Sequence, residues 1–228
     1  MTEIRKATAD DLRIIRGWLQ QEKDEGHDSF IVNFEMIEKG QRDGCLTVLV
    51  EDIPIALALG DTNLSIFAVK RDRRRSNVGR TLAERWFQDA RDRDLIGFDG
   101  ECSPKTSLPF WLRMGCTQVR SISKNPWVIM PFVQSHELPK DRAVDSLEFE
   151  LHDSDGKAIQ GWDVVKAAVM ADDDYMLTRD FIAYVPETDA RLTILGEELF
   201  RCTKVRDIED IGGERDGAWI RVRNLAPT

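Results

Sequence analysis

Residues 69–87 read VKRDRRRSNVGRTLAERWF, and the fold turns on how this stretch is read. Five arginines and a lysine fall within positions 69–80 of a chain whose formal net charge is −9. Just before it, LSIFAVK (64–70) is apolar on both faces and is expected as a central strand. Just after it, Val78, Leu82, Trp86 and Ala90 recur at every fourth position, with Ala83 and Phe87 beside them. That period predicts a helix from about Val78 to Arg93, with Asp89 and Arg93 as an i,i+4 ion pair on its outer face. A helix that opens after a strand leaves its first N–H groups unpaired and presents the positive end of its dipole. Arginines placed there oppose the dipole, so the junction is expected to receive an anion. Gly79 lets a phosphate approach the backbone, and Asn77 tolerates left-handed geometry. Arg74, Arg75 and Arg80 offer charge-assisted contacts. The competing reading is an ordinary solvated charge run.

Working outward, TADDLRIIRGWLQQEKDEG (8–26) predicts a first helix with a Thr8/Asp11 capping box. Leu12, Ile15, Trp18 and Leu19 share its apolar face, and Gly26 stops it. EIRKA (3–7) is an opening or edge strand, and FEMIEKGQRDG (34–44) holds a further short helix. CLTVLV (45–50) and IPIALALG (53–60) form a hairpin around an acidic turn. LIGFDGEC (95–102) is a strand, SLPFWLRMG (107–115) a short helix ended by Gly115, and CTQVRSIS (116–123) with PWVIMPFV (126–133) a closing hairpin. This predicts an α/β domain over residues 1–135. The polar, proline-containing SHELPKDRA (135–143) reads as a linker, drawn at 136–143. Residues 144–228 are expected as a small β-rich domain: a hairpin around the DSDG turn (153–156), GWDVVKAAVMADDD (161–174) as a helix, and strands at 179–185, 191–195, 198–205 and 218–222.

Bulk properties bound the function. The chain has 228 residues, 42% apolar and 32% charged, without a run of the length a membrane span needs. The N-terminus MTEIRKATADD lacks the apolar core of a secretory signal, so a cytoplasmic protein with no membrane partner is expected. Cys45, Cys102, Cys116 and Cys202 form no CxxC pair and have no histidine at ligand spacing, so they read as reduced thiols and no metal is expected. Lys+Arg and Asp+Glu number 20 each over residues 1–135 but 12 against 21 over 136–228, so the excess acid lies in the C-terminal part. That balance, and the lack of aromatic residues interleaved with the arginines, argues against a nucleic-acid partner. The acidic part is expected either to steer a cationic substrate or basic partner, or to form a solubilising lid with surface acids such as Asp172, Asp173 and Asp174.

The 69–87 segment resembles the acyl-CoA pyrophosphate loop of the GNAT superfamily of N-acetyltransferases. That pattern is Arg or Gln, two residues, Gly, one residue, then Gly or Ala, opening a helix; it is met here by Arg74, Arg75, Ser76, Asn77, Val78, Gly79, Arg80, Thr81 and Leu82, with Asn77 in place of the first glycine. IRKATADDLRIIRGWL (4–19) resembles the family's opening strand and helix, and PFWLRMGC (109–116) its late aromatic–helix–glycine motif. Together they span roughly residues 3–133 and imply a GNAT-like mixed, mostly antiparallel sheet flanked by helices. The resemblance implies acetyl-CoA as co-substrate and an amine acceptor, with a homodimer as one assembly. Backbone groups of Phe67, Ala68 and Val69 would pair with the pantetheine arm, and one N–H there would polarise the thioester carbonyl. N–H groups from Arg75 to Arg80 would hold the pyrophosphate, with arginine side chains within reach of the 3′-phosphate.

The catalytic side departs from that pattern. Some relatives carry a glutamate where Asn63 stands, which leaves Glu101 as the candidate base, against a reading of it as an exposed strand-end acid. Trp111 occupies the position of the family's thiolate-protonating tyrosine, and Pro104 that of its asparagine. His27, His136 and His152 are isolated in sequence. Two readings follow: an enzyme acetylating a primary amine (small molecule, protein lysine or N-terminus), or an acyl-CoA-binding sensor that turns over weakly or not at all.

Overall fold

The computed structural model describes residues 2–119, 124–170, 174–187, 189–196 and 199–226. The chain divides into two compact units, Met1–Met130 and Pro131–Thr228. In order, the first contains β1 (Glu3–Lys6), α1 (Ala9–Asp24), α2 (Phe34–Arg42), β2 (Leu46–Val50), β3 (Pro54–Leu59), β4 (Ile66–Val69), α3 (Val78–Asp92), β5 (Gly97–Glu101), α4 (Leu108–Arg113), β6 (Thr117–Val119) and β7 (Trp127–Pro131).

The first helix starts as its sequence dictates. Thr8 Oγ1 accepts from the Asp11 N–H, and Asp11 Oδ2 accepts from the Thr8 N–H at 2.7 Å, closing both arms of a capping box. Arg5 on β1 clamps the same carboxylate through two nitrogens, at 2.6 and 3.1 Å, tying strand to helix. These donors hold the Asp11 carboxyl down at about 2. Ile15, Trp18 and Leu19 of α1 then pack with Ile37 of α2 on Val48, Leu57, Ile66 and Ala68 of the sheet.

Two sheets make up this unit, one ordered β1-β2-β3-β4 and one ordered β5-β7-β6. β1–β2, β2–β3, β3–β4 and β6–β7 each pair antiparallel. This corrects the expected central strand: β4 lies at an edge. Its two apolar faces are both covered, Ile66 and Ala68 on the α1/α2 side and Phe67 by Phe110 and Trp111. Its outer backbone edge, however, belongs to no ladder of its sheet. Burial of both faces made it read as central; edge pairing is a separate property. The expected Asp89–Arg93 pair is also replaced. Asp89 takes Arg85 at 2.7 Å, while Arg93, just past the last helical residue, reaches the Asp61 carbonyl at 2.6 Å. Residues 120–123 of the expected closing hairpin lie outside the described residues.

The second unit is one seven-stranded antiparallel sheet, ordered β12-β11-β8-β9-β10-β14-β13. Its strands are β8 (Val144–His152), β9 (Ala158–Val169), β10 (Tyr175–Tyr184), β11 (Arg191–Leu195), β12 (Phe200–Lys204), β13 (Gly213–Asp216) and β14 (Trp219–Leu225). The DSDG turn forms as expected: Asp153 Oδ1 accepts from the N–H groups of Asp155 and Lys157, and Gly156 takes φ +81. The helix expected over 161–174 is instead most of β9. Val164 and Lys166 are exposed while Val165 and Ala167 are buried, a two-residue period that pairing with β8 enforces on a segment of mixed propensity. Asp172 and Asp173 lie outside the described residues, and Asp174 is half-buried. His136, assigned by sequence to the linker, is part of this unit. Its N–H donates to Thr178 O at 2.7 Å, and its Nε2 lies 2.6 Å from the fully buried Asp180 carboxylate. Two of the four free cysteines, Cys102 and Cys116, are buried, and burial pushes the Cys116 thiol up to about 12.

The Asp11 cluster sets an acid limit on stability. A carboxyl held near 2 in the native state and near 3.9 when unfolded stabilises the fold above pH ~4, and that contribution is lost as pH falls towards ~2. Asp11→Asn should cost about 1–3 kcal/mol at pH 7 in urea unfolding. It should also flatten the stability profile between pH 4 and 2; an unchanged profile would show that the clamp contributes nothing.

Candidate functional site

The open edge of β4 runs directly into the arginine-rich loop. Lys70 N–H donates to Ile55 O at 2.8 Å, and Ala68 stands opposite Leu57 in the β3 ladder. Backbone groups in phase with Lys70, including those of Ala68, therefore point at β3, and those of Phe67 and Val69 point away from it, at the free edge. Of the three residues expected to present backbone groups, Phe67 and Val69 have the right phase and Ala68 is turned inward. The Val69 carbonyl is already used, accepting from Arg74 Nε at 2.9 Å.

Beyond the strand, Arg71–Arg73 form a 3-10 turn, and the chain then passes twice through left-handed geometry, at Arg75 (φ 66) and at Asn77 (φ 69), before α3 begins. Asn77 is the N-cap, yet its side chain caps nothing, and no acidic residue stands in the first turn. Thr81 N–H returns to Asn77 O at 3.0 Å, and Ser76 Oγ donates to Arg73 O at 2.6 Å, so the loop is internally braced. Among the described residues, none of the N–H groups from Arg75 to Arg80 donates to another protein group. Gly79 also has a packing role: a Cβ there would come within 3.3 Å of Val69 Cγ2 and 3.4 Å of Phe110 Cε2. The missing side chain lets the first turn of α3 sit against β4 and α4.

Several of the arginines have partners. Arg74 Nη2 meets Glu22 Oε2 at 2.7 Å, and Glu22 Oε1 accepts from the Arg71 N–H at 2.8 Å. Arg73 faces Glu51 at 3.4 Å, Lys70 faces Asp72 at 2.6 Å and Arg80 faces Glu84 at 2.7 Å. Arg75 is exposed, with no ion pair among the described residues. Arg74 is thus a strut, whereas Arg75 and the backbone present the positive field. Glu22 is the residue that sequence reasoning missed. It is 4% exposed, on the same face of α1 as Trp18 and Leu19, and a carboxylate on an apolar helix face was the available signal.

On the opposite side of the gap, Trp111 of α4 stands between Phe67 of β4 (5.3 Å between centroids) and Phe98 of β5 (5.2 Å). Its indole is core, 7% exposed. Glu101 closes β5, is exposed, and accepts from Asn125 Nδ2 at 2.7 Å. Asn63 lies exposed in the β3–β4 connection and Pro104 precedes α4. His27 and His152 sit near acidic neighbours, Glu25 and Glu150, away from this loop in sequence.

The class defined so far is a mixed α/β unit, with antiparallel sheets and flanking helices, joined in one chain to a β-rich unit. No family model and no curated protein matches the sequence. Among solved structures, the PaiA N-acetyltransferase of Thermoplasma acidophilum in complex with coenzyme A is similar at 13% identity and TM-score 0.48, over 58% of this chain and 99% of that one. The ribosomal-protein-S18-alanine N-acetyltransferase of Escherichia coli gives 15% and 0.46, over 63% and 99%. N-acetylglutamate synthase of Neisseria gonorrhoeae, complexed with coenzyme A and N-acetyl-glutamate, gives 13% and 0.46 over 57% of this chain; the chain spans about a third (35%) of that protein's length. The neighbours include several described as GNAT-family acetyltransferases, and the C-terminal part is unmatched.

Removing the strut should loosen the loop from a distance. Glu22→Ala is expected to cost about 1–3 kcal/mol, since it strands Arg74 and the Arg71 N–H without their acceptor. A double-mutant cycle with Arg74→Ala in urea unfolding should return a coupling of at least ~0.5 kcal/mol; simple additivity would mean the pair is only a surface contact.

Proposed function

We propose that the first unit binds acetyl-CoA along the free edge of β4 and transfers its acetyl group to a primary amine. The observation that carries this reading is the continuity of two unsatisfied donor sets. The outward-facing N–H groups of Phe67 and Val69 lead straight to those of Arg75–Arg80 at the start of α3. An extended amide-bearing arm suits the first set, and a diphosphate suits the second.

When bound, the thioester supplies an acyl group activated towards an amine. The chain's own contributions are positional and electrostatic. The outward N–H groups of Phe67 and Val69 are two residues apart along the strand, so one would stabilise charge developing on the thioester oxygen while the other meets the arm. The left-handed turns at Arg75 and Asn77 aim backbone donors at the diphosphate without rearrangement. Glu22 holds the loop through Arg71 and Arg74. An ordinary amine, with pKa near ~10, must lose a proton before attack, and Glu101 is the carboxylate we assign to take it. The carbon–nitrogen bond forms, the acetyl–sulfur bond breaks, and the nitrogen gives up its second proton to solvent, from which the leaving thiolate is protonated, since the Trp111 indole is no acid.

A sensor or interaction module is the second reading, favoured by the burial of Trp111 in the core and by the engagement of Glu101 with Asn125. Thermal unfolding with acetyl-CoA separates the possibilities. Ligand at 100-fold above Kd stabilises the native state by about 2.7 kcal/mol, which should raise Tm by roughly 5–10 °C. No shift would end both readings. A shift with turnover on a panel of primary amines supports the transferase, and a shift without turnover supports the sensor. For the transferase, Glu101→Gln should lower kcat by about 10²–10⁴-fold with little change in acetyl-CoA affinity; unchanged kcat would remove Glu101 from the mechanism.

A further inference from the structure

β12 (Phe200–Lys204) stands at one end of the seven-stranded order, so beyond β11 its backbone belongs to no ladder of that sheet. Val205 N–H donates to Ala190 O and Gly196 N–H to Leu199 O, both at 2.8 Å. Backbone groups in phase with these, those of Arg201 and Thr203, therefore turn to β11, while the N–H and C=O of Cys202 and the N–H of Lys204 turn to the free edge. Both faces of this edge carry positive charge. On the core side, Arg201 stands opposite Ile194, and Ile194 opposite Phe149, both wholly buried. Arg201 is itself 6% exposed, and its Nε has no hydrogen-bond partner. On the other face, Lys204 stands directly opposite Arg191, and Arg191 opposite His152. Glu150 is taken by His152 at 2.9 Å. Among the described residues, neither Arg191 nor Lys204 forms an ion pair. Charged side chains on an edge strand ordinarily keep other chains off it, and Lys204 alone would need no further account. Arg201 does not fit that account: a guard must be solvated, whereas a buried guanidinium without an acceptor is costly. Like charges directly opposite in a ladder, as Arg191 and Lys204 are, also destabilise. These cations are gathered in a part of the chain, residues 136–228, where acids outnumber bases by 21 to 12.

We propose that β12 is the docking edge for an extended acidic peptide of another protein, which adds to the sheet as a further strand. Main-chain bonds to Cys202 and Lys204 supply the pairing, and the two faces supply the selection. Arg201 and Lys204 are three positions apart, so they lie on opposite faces of the strand. The partner strand accordingly carries two carboxylates three residues apart, one reaching Arg201 on the core side and one meeting Lys204 outside, within the field of Arg191. A second copy of this chain is a poorer occupant, because β12 against β12 would bring like charges together. A nucleic acid offers phosphates, but no strand backbone to pair with Cys202. The surface belongs to the second unit and does not depend on the acyl-CoA reading.

Fluorescence anisotropy tests this with the full chain and a labelled, end-blocked peptide of about eight residues, valines and threonines around two glutamates placed three apart. Exchanging both glutamates for glutamine should weaken binding at least about tenfold, since one charge-assisted contact corresponds to about tenfold in Kd. Arg201→Met should weaken it by about tenfold or more, yet leave the Tm of the free protein equal or higher, because an uncompensated buried charge is removed. Lys204→Gln should weaken binding about threefold to tenfold. Cys202→Pro deletes an outward N–H and no ladder bond, so it should abolish binding in a folded protein. Lys157→Gln, in the hairpin turn, should change nothing. Absence of binding at about 1 mM peptide, a lowered Tm for Arg201→Met, or binding that survives Cys202→Pro would each overturn the proposal. So would self-association that Cys202→Pro abolishes, which assigns the edge to a second copy, or equal competition by a random oligonucleotide, which reduces the site to its charge.

Discussion

The indole of Trp111 is the contact on which the first unit depends. β4 and β5 belong to different sheets, and it is Trp111, packed on Phe67 and Phe98 with Phe87 and Phe110 around it, that joins them. Aromatic pairs at such separations are stabilising by about 0.5–1.5 kcal/mol each beyond the area they bury. Cohesion through side chains leaves the β4 backbone edge outside any ladder of its sheet. An unpaired edge is ordinarily a liability for aggregation. Here it is short, with the loop and α3 starting at its end, so it offers a brief run of donors where a longer strand would offer a docking edge for another chain.

The positive charge that marked the loop is distributed less simply than its density suggests. Glu22, Glu51, Asp72 and Glu84 each take one basic side chain, so the local field is partly cancelled by the protein's own acids. Among the described residues, the N–H groups from Arg75 to Arg80 and the side chains of Arg71 and Arg75 stay outside these pairs. Under the proposed acyl-CoA reading, side-chain charges would shape the loop, and main-chain dipoles, which carry no net charge, would meet the ligand.

Much of the fold was legible because it is written in local chemistry. The Thr8/Asp11 box, the four-residue period of α3, the Asn77 tolerance for positive φ and the Asp153–Gly156 turn all depend on residues within a few positions of one another. The failures share a different cause. Whether β4 is central or at an edge depends on what lies beside it, and apolar faces report only what lies above and below. β9 is of mixed propensity, and pairing with β8 and β10 settles it as a strand. The tie between Arg74 and Glu22 spans 52 positions, so spacing in the loop gave no hint that one of its arginines was spoken for. On the chemical side, the left-handed turn at Asn77 and the helix start at Val78 were legible because asparagine, glycine and helix start are local signals, whereas a proton acceptor such as Glu101 depends on three-dimensional convergence that spacing does not report.

Asp180 has a consequence for where the second unit starts. Its carboxylate is wholly buried and is met by His136 Nε2 and by Arg223 Nε at 3.1 Å, while its own N–H donates to Gln134 O at 2.9 Å. The tract that looks by composition like a tether is therefore stitched to β10, with Ser135 bridged to Arg179. A fragment excised at the compositional break after Ala143 would leave that interior anion without one of its companions, at a cost of several kcal/mol. The division between the two compact units lies upstream of this tract, between Met130 and Pro131, so that Phe132, which is buried, stays with the second unit.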